Sequence, residues 1–206
     1  MTLRSALLHP LAKPLVFVLC LLPLAWLVYG ASAGQLGANP AEALIRGLGD
    51  WALRFLCLAL AVTPLRLHTR TPQLARYRRM LGLFVAFYAS LHLLAYGWLD
   101  MGFDVVDIGR DIPKRPFILV GFTVWLLLLP LTFTSTNAAV RALGGRAWQA
   151  LHRLVYVIAP LALLHFFWMR AGKNDFAEVM VYAAIIGVLL LERLFRYLKP
   201  RGVASR

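Results

Sequence analysis

The stretch WQALHRLVYVIAPLALLHFFW (148–168) decides how the chain is read. A helix needs about 20 predominantly apolar residues to cross the hydrocarbon core of a bilayer, and these residues supply that length. Yet they also carry two histidines, His152 and His165. Polar groups at membrane depth are costly, so they face the interior of a bundle and mark a site or an interhelical contact. Working outward from this segment, five more apolar stretches of comparable length appear. The full set of expected spans is 14–29, 48–65, 81–99, 117–133, 148–169 and 176–195. The fold class expected is an all-α integral membrane protein, a six-helix transmembrane bundle forming a single domain over 1–206.

Composition agrees with that class. Hydrophobic residues make up 61% of the 206 positions and charged residues 15%, with a mean hydropathy of +0.71. Soluble domains have about 45–50% and about 25%, so a soluble globule and a disordered chain are both excluded. The first stretch follows Arg4 and Lys13 in the manner of a signal peptide. No small-residue cleavage site leads into a soluble domain, so a retained first helix is expected.

The net charge of +13 would suggest nucleic acid in a soluble protein. Here its distribution reads as topology. With the N-terminus placed in the cytoplasm, the cytoplasmic segments hold fifteen Lys and Arg, including Arg66, Arg70, Arg76, Arg78, Arg79, Arg193, Arg196, Lys199, Arg201 and Arg206. They hold one acid, Glu192. The opposite side holds seven basic residues, Lys173 among them, and eight acids. Positive residues collect inside, which puts both termini in the cytoplasm and assigns the basic character to anionic-lipid contact in the bilayer. No nucleic-acid partner is expected.

The loops are short, and no GxGxxG or Walker loop occurs, so nucleotide chemistry would have to come from a partner. The two cysteines, Cys20 and Cys57, lie inside apolar runs, with no CxxC or CxxCH. They read as buried small hydrophobes and argue against a zinc site or a covalently attached haem.

Of five histidines, His9 and His68 lie outside or at the ends of the spans, and His92, His152 and His165 lie within them. His92 is thirteen residues beyond Arg79, and His165 thirteen beyond His152. At 1.5 Å per residue each offset is about 20 Å. Spans three and five run the same way, so His92 and His165 fall at matching depth in the outer half of the membrane, on different helices. A b-type haem needs two imidazoles facing one iron between apolar walls, and a helix bundle provides such a pocket. Neutral imidazole supplies nitrogen donors without burying a charge. Interhelical hydrogen bonds and a proton relay or ion site are the competing readings.

His152 has no histidine facing it at inner depth on span three, where Arg78 and Arg79 stand. It can ligate a second haem with a non-histidine partner, contact a flavin or a quinone, or hydrogen-bond locally. Pro160 should kink span five between the two histidines. Arg54, one turn into span two, either partners a haem propionate or snorkels and pairs with Asp50. Thr63-Pro64 reads as a kink or helix end. The loop Asp100 to Arg115 is the longest on the outer side and a candidate docking surface.

Four stretches carry a family resemblance: WALRFLCLALAVTPLR (51–66), RRMLGLFVAFYASLHLLAY (78–96), DIPKRPFILVG (111–121) and WQALHRLVYVIAPLALLHFFW (148–168). Together they resemble the ferric-reductase-like transmembrane domain shared with NADPH oxidases and metalloreductases. Closer still is the likeness to the haem-binding membrane subunits of bacterial protein-methionine-sulfoxide reductase systems. The resemblance implies a bacterial inner-membrane electron-transfer subunit, itself non-catalytic. Such a subunit takes electrons from the quinone pool, or from a cytosolic flavin reductase, and delivers them through one or two b-type haems. The acceptor is a periplasmic molybdopterin enzyme that repairs oxidised methionine in proteins. It implies His92 and His165 as the outer haem pair, His152 as the inner histidine of span five, and FMN as a further cofactor that no motif locates. Where larger oxidases have a ligand at the inner position of span three, this chain has Arg78. A stand-alone quinone- or metal-reducing b-type cytochrome and a haem-free transporter using a histidine relay remain the alternatives.

Overall fold

A computed structural model describes residues 3–172 and 174–199. Lys173, Arg201 and Arg206, counted in the charge bias, lie outside the described residues, as does the side chain of Arg4. The described residues form helices and no strand. In chain order these are α1 (Leu3–Leu8), α2 (Ala12–Ser32), α3 (Pro40–His68), α4 (Ala75–Ala95), α5 (Val105–Lys114), α6 (Pro116–Phe133), α7 (Asn137–His152), α8 (Val155–Ala171) and α9 (Ala177–Leu198).

Local signals place the helix ends. Asn39 caps α3 by accepting the Glu42 N–H at 3.1 Å, and Pro40 opens the helix where no N–H is needed. Asp104 caps α5 by accepting the N–H groups of Val106 and Asp107. Thr136 caps α7. Gly144, at φ 75°, breaks α7 in a conformation that side chains with a Cβ avoid.

Among the described residues, five helical segments are long and apolar enough to span a membrane: Ala12–Ser32, Pro40–His68, Pro72–Asp100, Pro116–Phe133 and Asn137–Ala171. The chain is a multi-pass membrane protein. The sixth expected span coincides with α9, which is apolar in its middle but carries Glu178, Glu192, Arg193 and Arg196 toward its ends. Every 18-residue stretch of it includes at least three of those charges, whereas each of the other five has such a stretch with two or fewer.

Segment Asn137–Ala171 is not one straight rod. Near the α7–α8 junction, Tyr156 and Val157 donate to Arg153 and Leu154, three residues back instead of four. This tightened turn lies just before Pro160, whose missing N–H leaves the Tyr156 carbonyl without its usual donor and whose ring crowds it. His152 and His165 therefore sit on separate helices.

Neighbouring helices pack in the order α3, α4, α6, α8, α9 and back to α3, closing a ring, with α2 against the outside of α3 and α4. Tyr88, Leu60, Ile158 and Ile186 are fully buried at the contacts. Tyr88 docks α2: its hydroxyl donates to the Cys20 carbonyl at 2.8 Å and accepts the Leu24 N–H at 3.1 Å, beside the break made by Pro23. A similar repair joins α3 to α9. Pro64 cannot donate to the Leu60 carbonyl four residues before it, and the Arg193 guanidinium donates there instead, at 2.6 Å. An unpaired backbone group in hydrocarbon costs several kcal/mol, so Arg193 serves as a structural donor. Cys20 and Cys57 are buried free thiols in the core.

Candidate functional site

The centre of the ring is a cavity of about 570 Å³ lined by α3, α4, α6 and α8. That volume falls within the roughly 300–1,000 Å³ of ligand and cofactor pockets. Its deep wall is apolar, with Leu56, Val85, Leu128 and Ile158. Its other end is polar and reaches the helix termini, where Asn39, Glu42, Arg46, Asp50, Asp100 and Arg115 line it.

His92 from α4 and His165 from α8 both line this cavity, with ring centroids 6.0 Å apart and planes at 75°. Each ring is fixed in the same way. The Nδ1–H of His92 donates to the Ile45 carbonyl of α3 at 2.8 Å, and that of His165 to the Phe117 carbonyl of α6 at 2.6 Å. A carbonyl can only accept, so Nδ1 carries a proton, and in a ring kept neutral by its apolar surroundings Nε2 keeps its lone pair. Each acceptor is a helical carbonyl with a second lone pair to share.

Space for the rings comes from glycine. Four residues after Ile45 stands Gly49, where an added Cβ would lie 3.1 Å from His92 Nδ1. Four residues after Phe117 stands Gly121, where it would lie 2.7 Å from His165 Cε1. The same device, a carbonyl at one position and a glycine one turn later, thus seats both imidazoles. It uses the close helix approach that small residues allow in membranes.

The polar end is held by two ion pairs of like design. Glu42 pairs with Arg46 at 2.6 Å, and Asp111 pairs with Arg115, the acid preceding the arginine by four residues in both. Tyr96, in a wide turn of π geometry after α4, donates its hydroxyl to Asp111 at 2.6 Å. On α5, outside the spans, hydrogen bonding from Arg115 holds the Asp111 carboxyl below its usual range.

Residues 48–163 match the family described as ferric reductase like transmembrane component. The chain is 68% identical over 191 residues to "Protein-methionine-sulfoxide reductase heme-binding subunit MsrQ" of Polaromonas naphthalenivorans, covering 93% of this chain and 87% of that protein. The proteins of that name from Herminiimonas arsenicoxydans and Caulobacter vibrioides are 52% and 45% identical, over 90% and 98% of this chain and 85% and 94% of theirs. The chain belongs to the MsrQ family, with a ferric-reductase-like transmembrane component. No solved structure matches it.

The other two residues singled out from the sequence lie elsewhere. His152 is outside the cavity lining, at the opposite end of the bundle. Its ring stacks on Trp148 at 4.0 Å, and its Nε2 meets the Thr134 hydroxyl at 3.0 Å. That hydroxyl already donates to the Pro130 carbonyl at 2.6 Å, so His152 is the donor, through Nε2–H. Arg54 is also outside the lining: its Nε donates to the Tyr182 hydroxyl at 3.1 Å, and its guanidinium lies over Trp51. It makes neither the expected pair with Asp50 nor a wall of the cavity.

Sequence reasoning missed the two anchoring carbonyls, the two glycines, and Arg46 and Arg115. Phe117, Gly121 and Arg115 all fall in DIPKRPFILVG (111–121), a stretch already singled out by resemblance.

Proposed function

We propose that this chain is the haem-binding electron-transfer subunit of a protein-methionine-sulfoxide reductase system in the bacterial inner membrane, in which His92 and His165 would hold the iron of a b-type haem. One observation carries the reading: two neutral imidazoles from different helices, each with Nδ1 tied to a carbonyl, 6.0 Å apart in one cavity. Two nitrogens each about 2 Å from one metal, on opposite sides, put ring centroids roughly 6 Å apart. The donor set is that of a bis-imidazole site, and the apolar walls suit a porphyrin. Bound there, haem supplies a one-electron iron carrier.

The protein's own groups do the rest. The Ile45 and Phe117 carbonyls hold each ring in the tautomer that presents Nε2 and increase its basicity. The deep apolar wall keeps water from the metal position, and neutral ligands avoid burying charge.

In this reading α9 is the sixth span and both ends of the chain lie in the cytoplasm, following the positive residues at the Arg78–Arg79 end. The cavity then lies toward the periplasm, near a molybdopterin enzyme that reduces methionine sulfoxide. Electrons arrive from the quinone pool or from a cytosolic flavin reductase. Relatives 45–68% identical, named as haem-binding subunits of such a system, support the role. His152 would have to give up its Thr134 hydrogen bond to serve as a ligand for a second haem.

The test is the reduced-minus-oxidised optical spectrum of the purified chain. Wild type shows a low-spin b-type haem, and His92→Ala and His165→Ala each lose it. Full haem content in both variants would overturn the assignment. Haem reduced by quinol should reoxidise only when the methionine sulfoxide reductase is added.

A further inference from the structure

We infer that Arg46 and Arg115 form the subsite for the two carboxylates of the tetrapyrrole, one arginine per carboxylate, at the polar end of the cavity. The inference rests on the reading of the cavity as a haem pocket.

A haem carries two propionates on one edge, and they cannot be left unpaired against apolar walls. Of the cavity-lining residues described, only Arg46 and Arg115 are cationic. Glu42, Asp50 and Asp100 around that end are acids and would repel a carboxylate, and the Tyr96 hydroxyl is already donated to Asp111. Arg54, the residue the sequence suggested, is engaged by Tyr182 and Trp51 outside the lining.

The two arginines are also in register with the two imidazoles. Arg46 directly follows Ile45, whose carbonyl seats His92, and Arg115 lies two residues before Phe117, whose carbonyl seats His165. Each arm of the site thus offers one imidazole anchor and one guanidinium within a turn of backbone. Both side chains are partly exposed, at 25% and 40%, so they are within reach of a ligand edge that emerges from the apolar interior.

Both already hold a carboxylate. Glu42 sits on Arg46 and Asp111 on Arg115. A guanidinium has five N–H donors, and one carboxylate uses at most two of them. Each arginine can therefore keep its acid partner, which fixes its rotamer, and offer its remaining donors to an incoming propionate. Planar, bidentate recognition of carboxylate is the geometry for which arginine is suited and lysine is not.

The experiment uses the full-length haem-loaded protein in detergent and measures the rate of haem transfer to excess apomyoglobin. Arg46→Gln and Arg115→Gln should each speed haem loss by about tenfold or more, the scale of a charge-assisted hydrogen bond. Arg110→Gln, on the exposed side of α5, should not change it. The second arm reconstitutes wild type and both variants with haem whose propionates are methyl esters. Wild type should lose the ester, which lacks both carboxylates, at least as fast as either variant loses haem, and the variants should lose the ester no faster than wild type does. An unchanged bis-imidazole spectrum in the variants shows that the fold and the iron ligands persist.

Wild type holding the ester as tightly as haem, with the bis-imidazole spectrum intact, would overturn the carboxylate subsite and leave the haem reading standing. Haem retained without His92 and His165 would overturn the haem reading itself.

Discussion

The two ends of the bundle both carry histidine, and they use it in opposite ways. At the cavity end His92 and His165 are tied through Nδ1, face an open space and have a glycine behind each ring. At the other end His152 is tied through Nε2 to Thr134, and its ring is covered by Trp148. The same side chain, in spans of the same apolar character, is a presented lone pair in one place and a donor between helices in the other. Which nitrogen is engaged, and whether a glycine clears room for the ring, separates the two. Sequence depth alone does not.

The sharpest way to break that contrast is to fill the space behind a cavity histidine. Gly121→Ala puts a methyl group 2.7 Å from the His165 ring, which is pinned by the Phe117 carbonyl. The ring must turn and lose that bond, and haem affinity should fall by about ten- to a hundredfold, the usual cost of a lost outer-shell partner. Haem titration of the apoprotein measures it. Gly49→Ala is the graded partner. Its methyl group meets His92 at 3.1 Å, so a shift of a few tenths of an ångström suffices, and the loss should stay below about tenfold on the same assay. Equal effects at the two glycines would show that ring clearance is not what sets the site.

At the other end, Thr134→Val removes the acceptor of the His152 N–H without changing size. A typical hydrogen bond, here a partly buried one, contributes about 0.5–1.5 kcal/mol, so thermal unfolding in detergent should begin at lower temperature. The bis-imidazole spectrum of the cavity should be unchanged. A collapse of that spectrum would mean that the two ends are coupled and the contrast is false.

The smallest effect concerns the rim of the cavity. Asp111 is held below its usual range by Arg115, so its contribution is complete above the unfolded carboxylate pKa of about 3.9 and is lost as pH falls through the lower folded value. Amide exchange in α5 should therefore be unaffected by acid until pH drops beneath the ordinary Asp range. Loss of protection at higher pH would place the α5 anchor elsewhere.

Much of this architecture was legible in the chain. Apolar length marks the segments that become α2, α3, α4, α6 and the α7–α8 pair, because helix rise and bilayer thickness fix how many residues a span requires. The matched offsets of His92 from Arg79 and of His165 from His152 also gave a common depth. Arg54 was misleading for a physical reason. A charged residue one turn inside a span has to find a partner, and sequence cannot say which neighbouring helix supplies it. Tyr182, 128 positions away, does so. Likewise Thr63-Pro64 read as a kink or helix end, whereas α3 runs on to His68 and packing supplies Arg193 as donor to the carbonyl that Pro64 leaves free.

Composition, periodic apolar runs and charge bias are properties of the chain itself, and they determined that it forms membrane-spanning helices and where its intramembrane histidines lie along them. Tertiary structure alone decided which of those imidazoles meet. The rotation of a helix about its axis, and the glycines that let two backbones approach, are set by contacts between segments far apart in sequence. Those contacts put Ile45 behind His92 and Phe117 behind His165, and left His152 on its threonine.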